Sequence, residues 1–222
     1  MRTLDARRLR ASAIVDVVAA AVCGGGTVIF PTDTVYGIGC DPWRPEAVER
    51  IYALKNRPRA KPLSLHFGST AELLEYASGN ALAARAARAF LPGPLTLLVS
   101  RPSFVDERVT AGLTSLGLRV PKHELCRVIL EWCGPLAATS ANLSGAPAFT
   151  GTEGRARLPA ADVTVDDGPT PVGTESTILD VSGGERARIV REGAISRAML
   201  EEILGAVEPL PHAQPSPRQR EW

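Results

Sequence analysis

Apolar side chains first recur at helical spacing in "SAIVDVVAAAVC", and the pattern stops at three consecutive glycines, residues 24–26. A hydroxyl just ahead of such a run can cap the free amides of the first turn, so Ser12 is expected to open this helix and the glycines to end it near Cys23. "TVIF" is a short, mostly apolar strand cut off by Pro31. "PEAVERIYALK" begins with proline, which suits a first helical turn where its missing N–H has no partner to lose. In "LSLHF" the period changes to two: Leu63, Leu65 and Phe67 share one face, Ser64 and His66 the other. Further helices are expected over residues 71–76, 81–90 and 124–132 and in "ISRAMLEEIL". "LTLLVS", "LGLRV", "LAAT", "DVTVDD", "STILDV" and "ARIVRE" read as strands between Gly and Pro punctuation. Strands and helices mix without a clean βαβ repeat, which predicts an α/β domain on a mixed sheet.

The 222 residues contain no internal repeat and no second core-sized segment. One domain over residues 1–207 is expected, followed by a disordered, Pro-rich tail, "EPLPHAQPSPRQREW", from Glu208. A composition of 45% hydrophobic and 22% charged residues is that of a soluble globular protein. A net charge of +1 gives no global sign of a nucleic-acid or membrane partner, so any basic site must be local. Four cysteines without a C-x-x-C pair, and only three histidines, argue against a structural zinc site or a disulfide framework. Cys126 and Cys133 read as buried free thiols on one helix, and a reducing cytoplasm fits. The arginines before the first helix imitate a secretory leader, but Asp16 interrupts the apolar run. No apolar stretch reaches the roughly 20 residues needed to span a bilayer.

The candidate chemistry centres on "KNRPRAKPLSLHF", which with Arg50 just ahead of it places five cations, Arg50, Lys55, Arg57, Arg59 and Lys61, in twelve residues. A residue before proline is pushed out of the α region, so Pro58 and Pro62 predict an extended segment. Lys55, Arg57, Arg59 and Lys61 would then line one side over roughly 20 Å, a row suited to successive phosphates. A solvated basic loop is the plainer alternative. Two polar clusters follow strands: "PTDTVYGIGCD", with Thr32, Asp33, Thr34 and Tyr36, and "TSANLSG", with Thr139, Ser140, Asn142 and Ser144. Neither is a Walker loop or a G-x-G-x-x-G fingerprint. Arg119 lies in a strand, where an arginine ordinarily needs an anionic partner. "GTESTILD" and "IVREGAI" contribute Ser176 and Arg191.

Taken in order, "PTDTVYGIGCD", "KNRPRAKPLSLHF", "PGPLTLLV", "LRVP", "TSANLSGAPA", "STILDV" and "IVREGAI" resemble the YrdC-like threonylcarbamoyl-AMP synthases over nearly the whole folded chain. The resemblance implies a twisted mixed sheet with surrounding helices and a large concave basic cavity. It implies a nucleotidyltransferase that makes L-threonylcarbamoyladenylate from L-threonine, bicarbonate and Mg²⁺-bound ATP, releasing pyrophosphate. The product would feed the machinery that threonylcarbamoylates the adenosine beside the anticodon of ANN-decoding tRNAs; direct tRNA contact stays open. By the same resemblance Lys55, Arg57, Ser140 and Asn142 form the catalytic set. Arg57, Lys61, Ser115, Ser140, Asn142 and Arg191 would contact ATP, and Thr32, Thr34, His66, Arg119 and Ser176 would hold threonine. Ala148 stands where many relatives carry serine, and Lys61 where some carry asparagine. Two rivals are a YrdC-like paralogue that binds nucleotide or RNA without synthase activity, and a carbamoyl-transfer domain from hydrogenase maturation. The second ordinarily sits beside acylphosphatase and zinc-finger modules; the first is disfavoured by the intact catalytic set.

Overall fold

The computed structural model describes residues 2–77, 79–152 and 158–209. Eleven strands form one mixed sheet, in the order β1 (Arg2–Asp5), β8 (Val163–Asp166), β2 (Val28–Phe30), β3 (Gly37–Cys40), β7 (Leu136–Ser140), β4 (Ser64–His66), β6 (Ser115–Arg119), β5 (Leu95–Ser100), β9 (Thr177–Asp180), β10 (Ala187–Arg191) and β11 (Val207–Glu208). Parallel pairs (β4 with β6, β5 with β9) occur beside antiparallel ones (β3 with β7, β5 with β6), as expected of a mixed sheet. The helices are α1 (Ala11–Cys23), α2 (Pro45–Lys55), α3 (Thr70–Tyr76), α4 (Ala81–Phe90), α5 (Glu107–Thr110), α6 (Glu124–Cys133) and α7 (Arg197–Leu204).

Both faces of the central sheet are buried, and β2 shows how. Val28 and Phe30 pack with Ile14, Val18, Ile129 and Leu130 of α1 and α6, whereas Ile29 between them joins the core that includes Val48 and Ile51 of α2. Burying a side chain such as Phe30 stabilises the fold by about 1.5–3 kcal/mol. Gly37 must stay glycine for this packing, because a Cβ there would come within 2.9 Å of the Phe30 ring.

Several helix ends follow local chemistry. The α2 helix takes Pro45 in its first turn and stops at Asn56, whose φ of 50° lies in the left-handed region. Ser69, Asn80 and Ser196 each accept an amide hydrogen bond at the start of α3, α4 and α7. Ser12 does not cap α1: the helix starts at Ala11, with Arg10 at the cap position and no side-chain hydrogen bond. Four short elements lie outside the sequence expectation. β1 exposes all but Leu4 and half-buried Asp5, α5 is a single turn, and β3 is half glycine, a residue that favours neither strand nor helix. The fourth, β11, places Glu208, where the disordered tail was expected to start, in a strand beside β10; residues 210–222 of that expected tail lie outside the described residues.

Candidate active site

Strand alternation builds a cavity of about 800 Å³ over one face of the sheet. Ser64 and His66 of β4, Ser115, Gly117 and Arg119 of β6, and Thr96 and Leu98 of β5 all line it, as residues two apart on a strand must. Gly117 keeps the middle of that wall thin, since a Cβ there would lie 2.9 Å from Ser64 Cβ. The cations Lys55, Arg57, Lys61, Arg119 and Arg191 line the same space with one carboxylate, Glu175.

The basic segment is not the extended row that its prolines imply. Asn56 turns the chain at the end of α2, and the Lys61 amide donates to the Pro58 carbonyl at 2.9 Å, closing a turn. Proline restricts its own φ and the residue before it, and the other positions were free to fold back. Arg57 remains on the cavity wall, its Nε donating to the Lys61 carbonyl at 3.0 Å and Nη2 to the Pro62 carbonyl at 2.7 Å. Lys61 joins it at the rim. Arg59 leaves the row altogether, pairing with Glu49 and stacking 5.0 Å above the Tyr52 ring. Arg50 is likewise committed elsewhere, to Asp162 at 3.0 Å.

Lys55 is the most deeply buried of these cations, at 1% exposure. Its ammonium donates to the main-chain carbonyls of Ser140 and Asn142, and its own carbonyl accepts the Ser144 amide at 2.9 Å. One lysine thus fastens the loop after β7 to the end of α2. Burial, with Arg57 adding to it and Glu175 opposing, lowers its proton affinity to about 7. Asn142 is oriented by its amide, which donates to Ala146 O at 2.7 Å, and its Oδ1 has no protein partner.

Elsewhere on the same wall, Arg119 already has an anion. Its Nη2 donates to Asp33 Oδ1 at 2.7 Å, and the Lys122 amide reaches the same oxygen at 3.1 Å. Asp33 Oδ2, Arg119 Nε and His66 Nδ1 are buried without partners among the described residues, although buried polar atoms are nearly always paired. His66 sits beside Arg119 in the β4–β6 register and edge-on to Phe30. Burial, then the Arg119 charge, lower its pKa to about 3, so the imidazole is neutral at ordinary pH. The Ser176 hydroxyl lies 2.9 Å from Thr96 Oγ1, and Arg191 donates to the Ser176 carbonyl at 2.9 Å while pairing with Glu175 at 3.0 Å.

Of the residues singled out from sequence, Thr32, Lys55, Arg57, Lys61, His66, Ser115, Arg119, Ser140, Asn142, Ser176 and Arg191 converge on this one cavity. Thr34 does not line it; its hydroxyl is buried 3.1 Å from Thr32 Oγ1. Ala148 is on the wall and offers no hydroxyl. Sequence reasoning did not assign roles to Asp33 or Glu175. Each is a carboxylate within a hydroxyl-rich segment, and its arginine partner is visible only once the strands are assembled.

No helix of the described residues is long and apolar enough to cross a membrane. A threonylcarbamoyl-AMP synthase of Bacillus subtilis is 38% identical over 81% of this chain, which spans 53% of that relative's length. Pyrococcus abyssi Sua5, solved in complex with L-threonine, superposes with a TM-score of 0.83 at 30% identity, over 94% of this chain and 62% of that one. Escherichia coli YciO shares the fold, with a TM-score of 0.73 at 24% identity, covering 86% of this chain and 94% of its own. The chain therefore spans about half the length of the Bacillus relative and under two thirds of the Pyrococcus one. Residues 20–193 match the Sua5–YciO–YrdC family model, described as "Telomere recombination", and the chain belongs to that family.

Proposed function

We propose that the cavity condenses L-threonine, bicarbonate and ATP into L-threonylcarbamoyladenylate, with release of pyrophosphate. The observation that carries this reading is the meeting, in one cavity, of the cations Lys55, Arg57, Lys61, Arg119 and Arg191 with His66 and the polar groups of Thr32, Ser115, Ser140, Asn142 and Ser176, drawn from strands and loops more than a hundred residues apart. Relatives named threonylcarbamoyl-AMP synthase support it.

The chemistry follows from charge. Threonine's nitrogen and bicarbonate give an N-carboxy-threonine, whose carbamate oxygen attacks the α-phosphate. An anion must therefore approach a triphosphate, and preorganised cations are what lowers that barrier. Arg57, Lys61 and Arg191 neutralise the phosphates and the departing pyrophosphate, with Ser115, Ser140 and Asn142 as hydrogen-bonding partners for the nucleotide. Arg119, held in place by Asp33, presents its remaining N–H groups to the threonine carboxylate, while Thr32, His66 and Ser176 supply small polar contacts. The carbamate is its own nucleophile, so no serine or cysteine needs to form a covalent intermediate.

A resident metal does not fit these residues. Among the described residues no group of three or more His, Cys, Asp or Glu side chains is placed to hold a metal ion, and the one carboxylate on the wall, Glu175, is held by Arg191. Mg²⁺ belongs instead to the substrate, as Mg-ATP. The product would serve threonylcarbamoylation of the adenosine beside the anticodon of ANN-decoding tRNAs, in the cytoplasm, through a downstream transferase. Labelled bicarbonate tests this reading: label should enter an adenylate only when ATP and L-threonine are both present. Label entering without threonine would contradict it.

A further inference from the structure

Carbamate formation has a proton balance that the functional reading leaves unassigned. An ammonium and a bicarbonate become a carbamate and a water only if one proton is taken away. The groups around the cavity differ sharply in their ability to accept it. His66 is neutral but binds a proton only near pH 3. Glu175 is held in an ion pair by Arg191 at 3.0 Å. Asp33 is not on the wall and is occupied by Arg119 and the Lys122 amide. The Tyr36 hydroxyl donates to the Gly168 carbonyl and accepts the Asp167 amide.

We propose that Lys55, clamped by two main-chain carbonyls on the wall of the cavity, is the general base that removes this proton from the threonine ammonium. The assignment rests on the synthase reading above. A neutral amine has two N–H bonds and one lone pair. The carbonyls of Ser140 and Asn142 take the two N–H bonds, which leaves the lone pair as the fourth tetrahedral position of a nitrogen whose residue lines the cavity. The neutral form loses neither carbonyl contact, so the loop stays fastened through the cycle. Burial, then Arg57, disfavour the ammonium and Glu175 favours it, which brings the group to about 7, where a base is most effective. Lys55 and Ser176, a residue assigned to threonine, line the same cavity.

The step balances. The threonine ammonium passes one proton to Lys55, and the freed nitrogen pair attacks the bicarbonate carbon. The C–N bond forms, the bond to the bicarbonate hydroxyl breaks, and that hydroxide leaves as water with a second proton from nitrogen. Carbamate and water result, with one proton on Lys55. The later adenylyl transfer needs no base, because the carbamate is already an anion.

This asymmetry separates a base from a loop clamp. Lys55→Met and Lys55→Gln should lower pyrophosphate release from threonine, bicarbonate and Mg-ATP by about 10²-fold or more, the usual worth of a general base. The reverse adenylyl transfer, ATP formed from threonylcarbamoyladenylate and pyrophosphate, loses only the fastening of the Ser140–Asn142 loop, so the forward loss should exceed the reverse loss by about tenfold or more. Equal loss in both directions, or a forward rate that survives, would overturn the assignment to a base. A wild-type protein that catalyses neither direction would overturn the synthase reading itself. Should the variants not fold, the wild-type pH profile decides: the forward rate should climb up to about pH 7 and level off while the reverse rate stays flat. A forward rate flat from pH 5.5 to 8 would overturn it.

Discussion

Arg119 and Asp33 form an ion pair at 2.7 Å with side chains only 6% and 4% exposed. The guanidinium at the end of β6 is therefore a scaffold element as well as a cavity group. Sequence alone left open whether the anionic partner of Arg119 is a protein carboxylate or the substrate's, and in the second case its removal would cost no stability. With Asp33 beside it, Arg119→Met strands a buried carboxylate and should cost about 3–5 kcal/mol. Pairing it with Asp33→Asn should restore most of the melting temperature. Threonine affinity should stay lost in the double variant. Recovery of both would assign Arg119 to the scaffold alone.

The basic segment divides two neighbouring arginines. Arg57→Ala should lower turnover by roughly 10²–10³, the typical loss of one preorganised charge-stabilising group. Arg59→Ala should change it less than about threefold, because that side chain pairs with Glu49 away from the cavity. Its exposed pair should contribute no more than ~1 kcal/mol to stability. Steady-state kinetics on both variants checks this, and comparable losses at the two positions would point to a diffuse basic patch.

These two cases also show where the sequence was legible. The alternation in "LSLHF" put Ser64 and His66 on the cavity face, because period-two patterning is a local property of one strand. The helix over Pro45–Lys55 was equally plain from its proline start and its apolar spacing. The partnership of Asp33 with Arg119 joins residues 86 positions apart and follows from strand order, which no local pattern encodes. The cation row failed for a different reason. Proline fixes the residue that precedes it, while Asn56 and the turn from Pro58 to Lys61 set the direction of everything between. β3 was hidden by its glycines, which are present to clear Phe30 rather than to favour a strand.

His66 should make the fold acid-sensitive. Its folded-state pKa, about 3, lies below the ordinary 6.5, so its contribution is fully present above pH 6.5 and is lost as pH falls toward 3. Within that window the loss should approach about 1.4 kcal/mol per pH unit. Thermal melts from pH 7 to pH 4 should therefore show a smaller decline in His66→Gln than in the parent chain. Parallel declines would place the acid sensitivity elsewhere.

The synthase reading comes down to which substrates ATP cleavage requires. Pyrophosphate release from Mg-ATP should be measured with threonine and bicarbonate each present or withheld, in four combinations. The predicted result is release only when both are present, with Arg57→Ala suppressing it. Equal release without threonine would mean a plain nucleotidase and would contradict the assignment of the cavity.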